Sequence, residues 1–389
     1  MKILFLSAWY PHRYDAMAGL FVQKHALAIS QSEDVTVLYL HPDEHITTTE
    51  ITQTRNGKLN EIIVYYPVNN TTALRKLTKA IGFCKAFLKG FKHIQRTNGL
   101  PDIVHVNVLT RCAVLAYYLH RKHHIPYVIT EHWSRYLPQN FSYTGLIRKT
   151  ATHLAVKHAH AIMPVCQNLA NAMQQCGIRH QRYLVVPNVV DDNFYHTERQ
   201  TTINNHNFTF LHVSCFDEKS KNILGTLRAI KQLTQKRNDF KVRLVGTGTE
   251  FSHAVSYAQQ LNIPDNIITF TGELSPNEVC QEMSQADALL LFSNYENAPV
   301  VISEALASGL PIIASNVGGI PEMVDHDSGI LIEPRNEEAL TQAMQHMLTH
   351  HTTYDSQHIR SVGQRYQTTT VRKQLLQIYQ QAIAQQHKQ

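Results

Sequence analysis

Short apolar runs bounded by turn residues recur through the 389 residues of the chain, and this pattern limits the possible folds more than any other feature. Helical segments separate most of the runs, and such alternation is typical of a parallel α/β sheet. A Thr- and Asn-rich stretch interrupts the pattern, which then restarts. The sequence therefore predicts two doubly wound α/β domains in tandem. The predicted strands are 3–6, 35–40, 62–65, 103–106, 127–130, 161–164 and 183–186, then 208–215, 242–245, 268–270, 288–292, 311–314 and 329–332.

The interruption sets the predicted domain boundaries. Residues 1–190 form the first domain, 191–207 the linker, 208–370 the second domain and 371–389 a terminal helix. This length suffices for two domains with separate cores. Ligands of doubly wound sheets bind outside the carboxyl ends of the strands, so we expect the site in the cleft between the domains.

Composition narrows the class of protein. We find no charged leader with an apolar segment and no membrane-length apolar run, which predicts a soluble cytoplasmic protein. A net charge of +6 favours anionic partners, although charge alone does not choose among nucleotide sugars, anionic lipids and nucleic acid. Six cysteines without paired spacing indicate neither a disulfide framework nor a zinc site: Cys84, Cys112, Cys166, Cys176, Cys215 and Cys280.

Two acidic residues, Glu296 and Glu304, flank a predicted helix start in the second domain. Pro299 between them suits the first helical position. The N–H groups at such a helix end can bind an anion such as phosphate, and ionised carboxylates accept hydrogen bonds from hydroxyls. The layout predicts a phosphorylated, polyhydroxylated ligand. The simpler alternative is an amphipathic helix with two surface glutamates, which the apolar neighbours of Glu304 disfavour.

This segment resembles the retaining glycosyltransferases of the GT-B fold, family 4, whose signature is two glutamates separated by seven residues. The following stretch, 309–322, keeps the family's order of a strand and then a double-glycine turn, Gly318 and Gly319. The resemblance implies two Rossmann-like domains facing each other across a cleft. It also implies that the helix 371–389 crosses back to the first domain.

The resemblance assigns roles to residues of the donor site. It implies that Glu296 holds sugar hydroxyls and Glu304 the nucleotide ribose. It gives Lys221 to the donor pyrophosphate, with Lys219 as a substitute for an arginine that many members carry where this chain has Cys215. The alternative for both lysines is a solvated turn. The resemblance also implies that the pyrophosphate is held by the backbone around Asn297, Ala298, Pro299 and Val300.

Two glycines match the family's pattern. Gly246 stands in the Val-Gly-x-Gly element that lines the nucleotide, and Gly19 in the loop after the first strand, whose backbone in the family lets donor and acceptor come close, so the resemblance assigns both glycines to donor binding. For Gly19 an ordinary helix-start glycine is an equal interpretation. Neither loop carries the full G-x-G-x-x-G fingerprint, so NAD binding is disfavoured.

On the acceptor side, His132 follows the strand 127–130, where family members carry a histidine close to the donor sugar and the acceptor hydroxyl. We predict that His132 contacts the acceptor or handles a proton, and that Asn107 lines the same side. The acidic stretch 325–327 indicates a β-turn rather than a metal site. The GT-B resemblance implies no metal and no cofactor.

The segment 74–96 is the clearest amphipathic helix. Its apolar stripe is formed by Leu74, Leu77, Ile81, Cys84, Leu88 and Phe91, with basic residues beside it. We favour a core-facing helix with a solvated lysine face. The alternative is a peripheral helix on an anionic membrane surface.

The resemblance implies retaining, metal-independent transfer of a hexosyl or N-acetylhexosaminyl group from a nucleotide sugar to a hydroxyl of a saccharide or lipid-linked acceptor. Its expected setting is cell-surface polysaccharide or lipopolysaccharide assembly, with no nucleic-acid partner. Two other classes remain: a sugar-nucleotide epimerase of the same fold, and a non-catalytic GT-B scaffold subunit.

Overall fold

The structure, a computed structural model, describes residues 1–68, 75–109, 111–197 and 207–386, and only the backbone of residues 75–77. The chain divides into two compact units. Unit 1 comprises residues 1–165, 170–188 and 371–389, and unit 2 comprises residues 166–169 and 189–370. Within the described ranges, no helix combines the length and apolar character needed to cross a membrane.

Unit 1 is built on one seven-stranded sheet that is parallel except at one edge. Its strands are β1 (Lys2–Ser7), β2 (Asp34–Asp43), β3 (Glu50–Asn56), β4 (Leu59–Pro67), β5 (Ile103–Asn107), β6 (Tyr127–Glu131) and β7 (Ile162–Pro164). Their order is β3-β4-β2-β1-β5-β6-β7, with β3 antiparallel to β4. Six predicted strands are thereby confirmed.

Two strand predictions in unit 1 were incomplete or wrong. Strand β3 was not predicted, because its residues are polar and largely exposed at the sheet edge. The predicted strand 183–186 is an extended segment that runs beside β7 without forming a strand. Leu184 N donates to Ile162 O at 3.0 Å and Val186 N to Pro164 O at 3.1 Å. Its apolar residues reflect partial burial rather than regular pairing.

Helices cover both faces of this sheet: α1 (Leu20–Ser30), α2 (Arg75–Thr97), α3 (Arg111–His123), α4 (Leu146–Lys157) and α5 (Gln167–Gln175). The connection from β1 to β2 crosses the sheet in one direction, and those from β4 through β5 and β6 to β7 cross it in the other. Since crossovers between parallel strands are right-handed, α1 lies on one face and α2, α3 and α4 lie side by side on the opposite face.

Helix α2 faces the core, but through a different side from the predicted one. Leu74 and the side chain of Leu77 lie outside the described residues. Of the remaining predicted stripe only Phe91 is buried, whereas Ile81, Cys84 and Leu88 are exposed. The core-facing side carries Phe83, Ala86, Phe87, Phe91 and Ile94. The prediction was wrong because both sides of the helix are apolar, and the three-four spacing selected mostly the outer one.

The predicted linker is only partly described. Residues 198–206 lie outside the described part, and residues 191–197 belong to unit 2. They contain the short helix α6 (Asn193–His196), whose Phe194 is buried in a core of unit 2.

Unit 2 has a fully parallel sheet. Its strands are β8 (Phe208–Val213), β9 (Phe240–Val245), β10 (Ile268–Gly272), β11 (Ala288–Leu291), β12 (Ile312–Ser315) and β13 (Gly329–Ile332). Their order is β10-β9-β8-β11-β12-β13. All six predicted strands of the second domain are confirmed, with ends shifted by about two residues at most. The predicted class, two parallel Rossmann-like α/β domains, is confirmed.

The helices of unit 2 are α7 (Glu218–Lys221), α8 (Ile223–Thr234), α9 (Phe251–Gln260), α10 (Pro276–Gln285), α11 (Val300–Ser308), α12 (Glu337–His350) and α13 (Ser356–Gly363). The strand order reverses between β8 and its neighbour β11, because β8 leads to β9 on one side while β11 leads to β12 on the other. At such a switch point the loops after the two strands diverge and leave a crevice at their carboxyl ends.

The last helix, α14 (Thr368–Gln386), returns to unit 1 from residue 371 onward. A buried hydrogen bond of 2.6 Å joins Tyr379 Oη on α14 to His105 Nδ1 on β5. Gln374 Nε2 donates to Val185 O at 2.8 Å. These bonds attach α14 to the sheet of unit 1.

Candidate functional site

A buried ion pair lies at the switch point of unit 2. Glu296 follows β11, Lys221 ends α7 in the connection after β8, and Lys221 Nζ donates to Glu296 Oε1 at 2.5 Å. Ser293 Oγ donates to the same carboxylate oxygen at 2.7 Å. Burial opposes the charge of Lys221, but the Glu296 carboxylate outweighs this effect and raises the pKa of Lys221 above its ordinary value. The ammonium group therefore stays charged.

The helix start beside this pair has no side-chain cap. Pro299, predicted as the first helical residue, is instead the N-cap residue of α11 with an extended backbone, and the helix begins at Val300. The first N–H groups of an α-helix have no intrahelical partner, so those of Val300 and Val301 are directed beyond the helix end. Glu304 lies in the second turn of α11 and is partly exposed. The element can thus offer backbone donors to an anion.

The double-glycine turn supports the loop that carries Glu296. Gly318 has φ +58°, and a Cβ atom there would lie 1.9 Å from Glu296 O. Gly319 N donates to Asn297 O at 2.9 Å, and a Cβ at this position would lie 2.3 Å from the same oxygen. Both positions therefore require glycine for the backbone to approach this closely.

A second pair of glycines packs against the loop after β8. Gly246 has φ +123°, and a Cβ there would lie 1.9 Å from Ser214 O. Gly248 packs in the same way against the backbone of Phe216. Cys215 and Lys219 in this region are exposed. Asp217 caps α7 by accepting a hydrogen bond from Ser220 N at 3.2 Å, which fixes the turn that presents Lys221.

Two neighbours of the loop that carries Glu296 were missed in the sequence. Cys166 Sγ donates to Asn297 Oδ1 at 3.2 Å. Burial raises the pKa of the Cys166 thiol to about 12, so it remains protonated and acts as a hydrogen-bond donor rather than a nucleophile. Arg335 Nε donates to Asn294 Oδ1 at 3.1 Å, which adds a cation next to the loop. Their sequence separation from the loop left no local signal.

In unit 1, His132 and Asn107 lie at the carboxyl ends of neighbouring strands, β6 and β5. His132 Nε2 and Asn107 Oδ1 are 3.4 Å apart, and the His132 ring packs on Phe21 at 4.5 Å between centroids. Burial, with added repulsion from His25, holds the pKa of His132 well below its ordinary value. The imidazole is therefore neutral at pH 7.

A buried carboxylate that the sequence did not single out organises this strand end. Glu131 accepts hydrogen bonds from the backbone N–H groups of Leu109 (3.0 Å), His132 (2.9 Å) and Trp133 (2.8 Å). Burial raises the pKa of Glu131, and the backbone donors counteract this effect. Val108 adopts φ +72°, which is strained for a β-branched residue. Glu131 therefore stabilises a strained backbone beside Asn107 and His132.

Gly19 is the N-cap of α1 with φ +64°, and a Cβ there would lie 2.4 Å from the backbone of Trp9. Glycine is thus required for the close approach of this loop to the helix start.

The acidic stretch 325–327 forms a turn, as predicted. Asp325 Oδ1 accepts from Ser328 N at 2.8 Å. In the described part of the chain, no three His, Cys, Asp or Glu side chains are grouped so as to hold a metal ion.

The two doubly wound α/β units have the fold of the GT-B glycosyltransferases, which are their structural neighbours. Two family models agree with this class. Residues 195–360 match the model described as Glycosyl transferases group 1, and residues 31–194 match Glycosyltransferase Family 4. Residues 31–360 therefore match two consecutive glycosyltransferase domain models.

Several known proteins are similar to this chain in sequence or in structure. N-acetyl-alpha-D-glucosaminyl L-malate synthase of Bacillus anthracis is 28% identical over 243 residues, 60% of this chain and 61% of that protein. Lipopolysaccharide 1,6-galactosyltransferase of Escherichia coli K12 is 33% identical over 105 residues, 26% of this chain and 29% of that protein. HepE of Anabaena, solved with UDP and glucose, has a TM-score of 0.69 at 21% identity, covering 97% of this chain and 98% of its own.

Proposed function

We propose that this protein is a retaining, metal-independent glycosyltransferase that moves a hexosyl or N-acetylhexosaminyl group from a nucleotide sugar to a hydroxyl acceptor. The observation that carries the proposal is the buried Lys221–Glu296 pair beside the uncapped start of α11. A carboxylate can accept hydroxyl hydrogen bonds, and an ammonium group and helix N–H groups can hold phosphate. The HepE structure, solved with UDP and glucose, supports a nucleotide-sugar donor.

In this proposal the donor side is formed by unit 2. Glu296 holds sugar hydroxyls, and Glu304 holds the ribose. The pyrophosphate is held by Lys221, with help from Lys219 and from the backbone of 297–300, while Gly246 lets the backbone approach the nucleotide. Lys221 has three N–H donors, so it can contact a phosphate oxygen without releasing Glu296. It would stabilise the charge that grows on the leaving nucleoside diphosphate.

The acceptor side is formed by unit 1. We propose that neutral His132 contacts the acceptor hydroxyl or receives its proton, with Asn107 beside it. We assign Gly19 to donor binding, because the backbone of its loop would let donor and acceptor come close. The acceptor is a saccharide or a lipid-linked sugar in lipopolysaccharide or polysaccharide assembly on the cytoplasmic side, a setting that the similarity to the Escherichia coli galactosyltransferase supports.

The test is a comparison of turnover and donor affinity in Lys221→Ala. Because Lys221 should act mainly on developing charge, we expect kcat to fall by about 10²- to 10³-fold, with a smaller loss of donor affinity. The donor is first chosen by thermal-shift screening against UDP-, GDP- and ADP-sugars. Lys236→Ala, an exposed lysine of unit 2, is the matched control and should behave like the wild type.

Equal losses of kcat and donor affinity would contradict the role given to Lys221. Release of an epimerised nucleotide sugar without an acceptor would instead indicate an epimerase. A protein whose melting temperature responds to no nucleotide sugar would be a scaffold.

A further inference from the structure

The two units carry opposite charge. Unit 1 contains 24 lysine and arginine residues and nine aspartate and glutamate residues, a formal net charge of +15, whereas unit 2 contains 12 against 21, a net charge of −9. Residues 62–190 include only two acidic side chains, Asp102 and Glu131, against 16 basic ones. Glu131 is fully buried. Unit 1 is therefore strongly basic, although the net charge of the whole chain is only +6.

Exposed apolar side chains are concentrated on the same unit. The large apolar residues that are exposed in the described part of the chain all belong to unit 1. Most of them lie on α2, α3, α4 and the loop before α4. Single exposed apolar residues are ordinary on any protein, but a group of them on one face indicates an interaction surface.

Helix α4 shows this most clearly. Thr152, Ala155 and Val156 face the interior. At 100° per residue, Leu146, Ile147 and Leu154 project from the opposite side. Leu146 is 81% exposed and Ile147 is 88% exposed. Arg148 and Lys149 follow directly and are exposed.

The outer side of α2 repeats the combination. Ile81 and Leu88 are 47% and 51% exposed, and Lys85 and Lys92 lie on the same side at helical spacing. Ile81 and Leu88 belong to the stripe that the sequence marked as amphipathic, and the structure directs them away from the core.

Helix α3 joins the two. The rings of Phe87 on α2 and Tyr118 on α3 are 6.4 Å apart, and those of Tyr117 on α3 and His158 after α4 are 5.0 Å apart. Val114 and Tyr118 of α3 are themselves exposed. The outer sides of α2, α3 and α4 therefore form one continuous surface, called here the three-helix face.

We propose that the three-helix face docks on an anionic lipid bilayer, with Leu146 and Ile147 entering the headgroup region and the lysines and arginines contacting lipid phosphates. Basic side chains beside exposed aliphatic ones suit this occupant. The aliphatic side chains gain free energy by leaving water for the headgroup region, and the basic side chains are attracted to the anionic lipids. A second copy of the chain would bring two basic faces together. Nucleic acid would match the charge but leave the aliphatic side chains in water. The inference does not depend on the proposed glycosyl transfer.

The test is co-sedimentation of the full chain with vesicles of phosphatidylcholine alone and of phosphatidylcholine with phosphatidylglycerol. We expect binding to the anionic vesicles at low salt and release at about 0.5 M salt, where charges are screened within a few ångströms. Lys85→Glu with Lys149→Glu should lower the partition coefficient by about tenfold or more. Leu146→Ser with Ile147→Ser should do the same, because their burial in the interface is lost.

Two variants serve as matched controls. Lys236→Glu with Lys241→Glu reverses two exposed charges on unit 2, and Leu27→Ser removes an exposed aliphatic side chain from α1, on the other face of the sheet. Both should bind vesicles like the wild type. The proposal is wrong if wild-type protein stays in solution with anionic vesicles, or if the controls lose as much binding as the test variants.

Binding of a labelled single-stranded DNA probe tests nucleic acid as the alternative occupant of the three-helix face. Binding of that probe, unaffected by Leu146→Ser with Ile147→Ser and without vesicle binding, would overturn the bilayer as occupant. A thermal shift with nucleotide sugars is measured on the same samples. A donor response without vesicle binding rejects the docking surface alone, and the reverse rejects the proposed function alone.

Discussion

Three histidines of unit 1 lie together in a neutral state. The rings of His25 and His132 are 5.7 Å apart, and His25 Nε2 is 3.0 Å from Pro187 O. Burial lowers the pKa of His25 to about 4. Burial, with repulsion from His25, also holds the pKa of His105 well below its ordinary value, as it does for His132. Each of them remains neutral in the folded protein where an exposed histidine would take up a proton.

This cluster makes stability depend on pH. Below about pH 6.5 the unfolded chain binds protons that the folded state rejects, so the free energy of unfolding should fall as pH is lowered toward 4. Each such histidine contributes up to about 1.4 kcal/mol per pH unit. His25→Gln should make the slope shallower in urea titrations between pH 6.5 and 4, with pH 8 as the baseline. Identical slopes in the two proteins would contradict this account.

The positions of single residues in the fold were predictable where they follow a strand. Lys221, Glu296 and His132 each stand after an apolar run, and a doubly wound sheet brings such positions to its carboxyl edge. Cys166 and Glu131 were missed because their importance comes from partners distant in sequence or from backbone N–H groups. Neither kind of contact leaves a pattern in the sequence.

At the scale of elements, the turn at Gly318 packs directly against the backbone of the loop that carries Glu296. Gly318→Ala would add both a left-handed strain of about 1 kcal/mol and a clash with Glu296 O. Gly57 has the same φ of +58° with open space around it, so Gly57→Ala adds the strain alone. We expect Gly318→Ala to lower the free energy of unfolding by at least about 1 kcal/mol more than Gly57→Ala, as measured by urea denaturation. Equal losses of unfolding free energy in the two variants would mean that the loop of Glu296 moves away from the added methyl group at no energetic cost.

Most elements were predictable because buried parallel strands read as continuous apolar runs. The failures share a cause. The hairpin strand β3 is polar and exposed, the segment 183–186 is partly buried without regular pairing, and α2 carries apolar residues on two sides. A pattern of apolar residues indicates which segments can be buried. It does not show whether a segment pairs as a strand, or which of two apolar sides of a helix packs against the core.

For the molecule as a whole, the return of α14 to unit 1 depends on a buried polar contact. Tyr379 and His105 are both fully buried, and the second nitrogen of His105 bonds Thr130 Oγ1 at 2.6 Å. Tyr379→Phe leaves His105 Nδ1 without its partner, so we expect a loss of about 1–3 kcal/mol in the free energy of unfolding. Tyr118→Phe, at an exposed site, is the control and should change it by less than about 0.5 kcal/mol. An unchanged free energy of unfolding in Tyr379→Phe would show that the hydrogen bond between Tyr379 and His105 is not needed for stability.

The two-domain architecture was predictable from the restart of the strand pattern, and the crossing of the last helix was an expectation from the family. The contrast between a basic and an acidic unit was equally present in the sequence, but it emerges only when charges are counted within each unit rather than along the whole chain.

The return of α14 also has a consequence for biosynthesis. A ribosome makes residues 189–370 before residues 371–386, so every strand and helix of unit 2 is available while unit 1 still lacks the tyrosine that satisfies His105. Nascent domains generally fold as units in order of emergence. Here that order is reversed: the domain begun first is the one completed last.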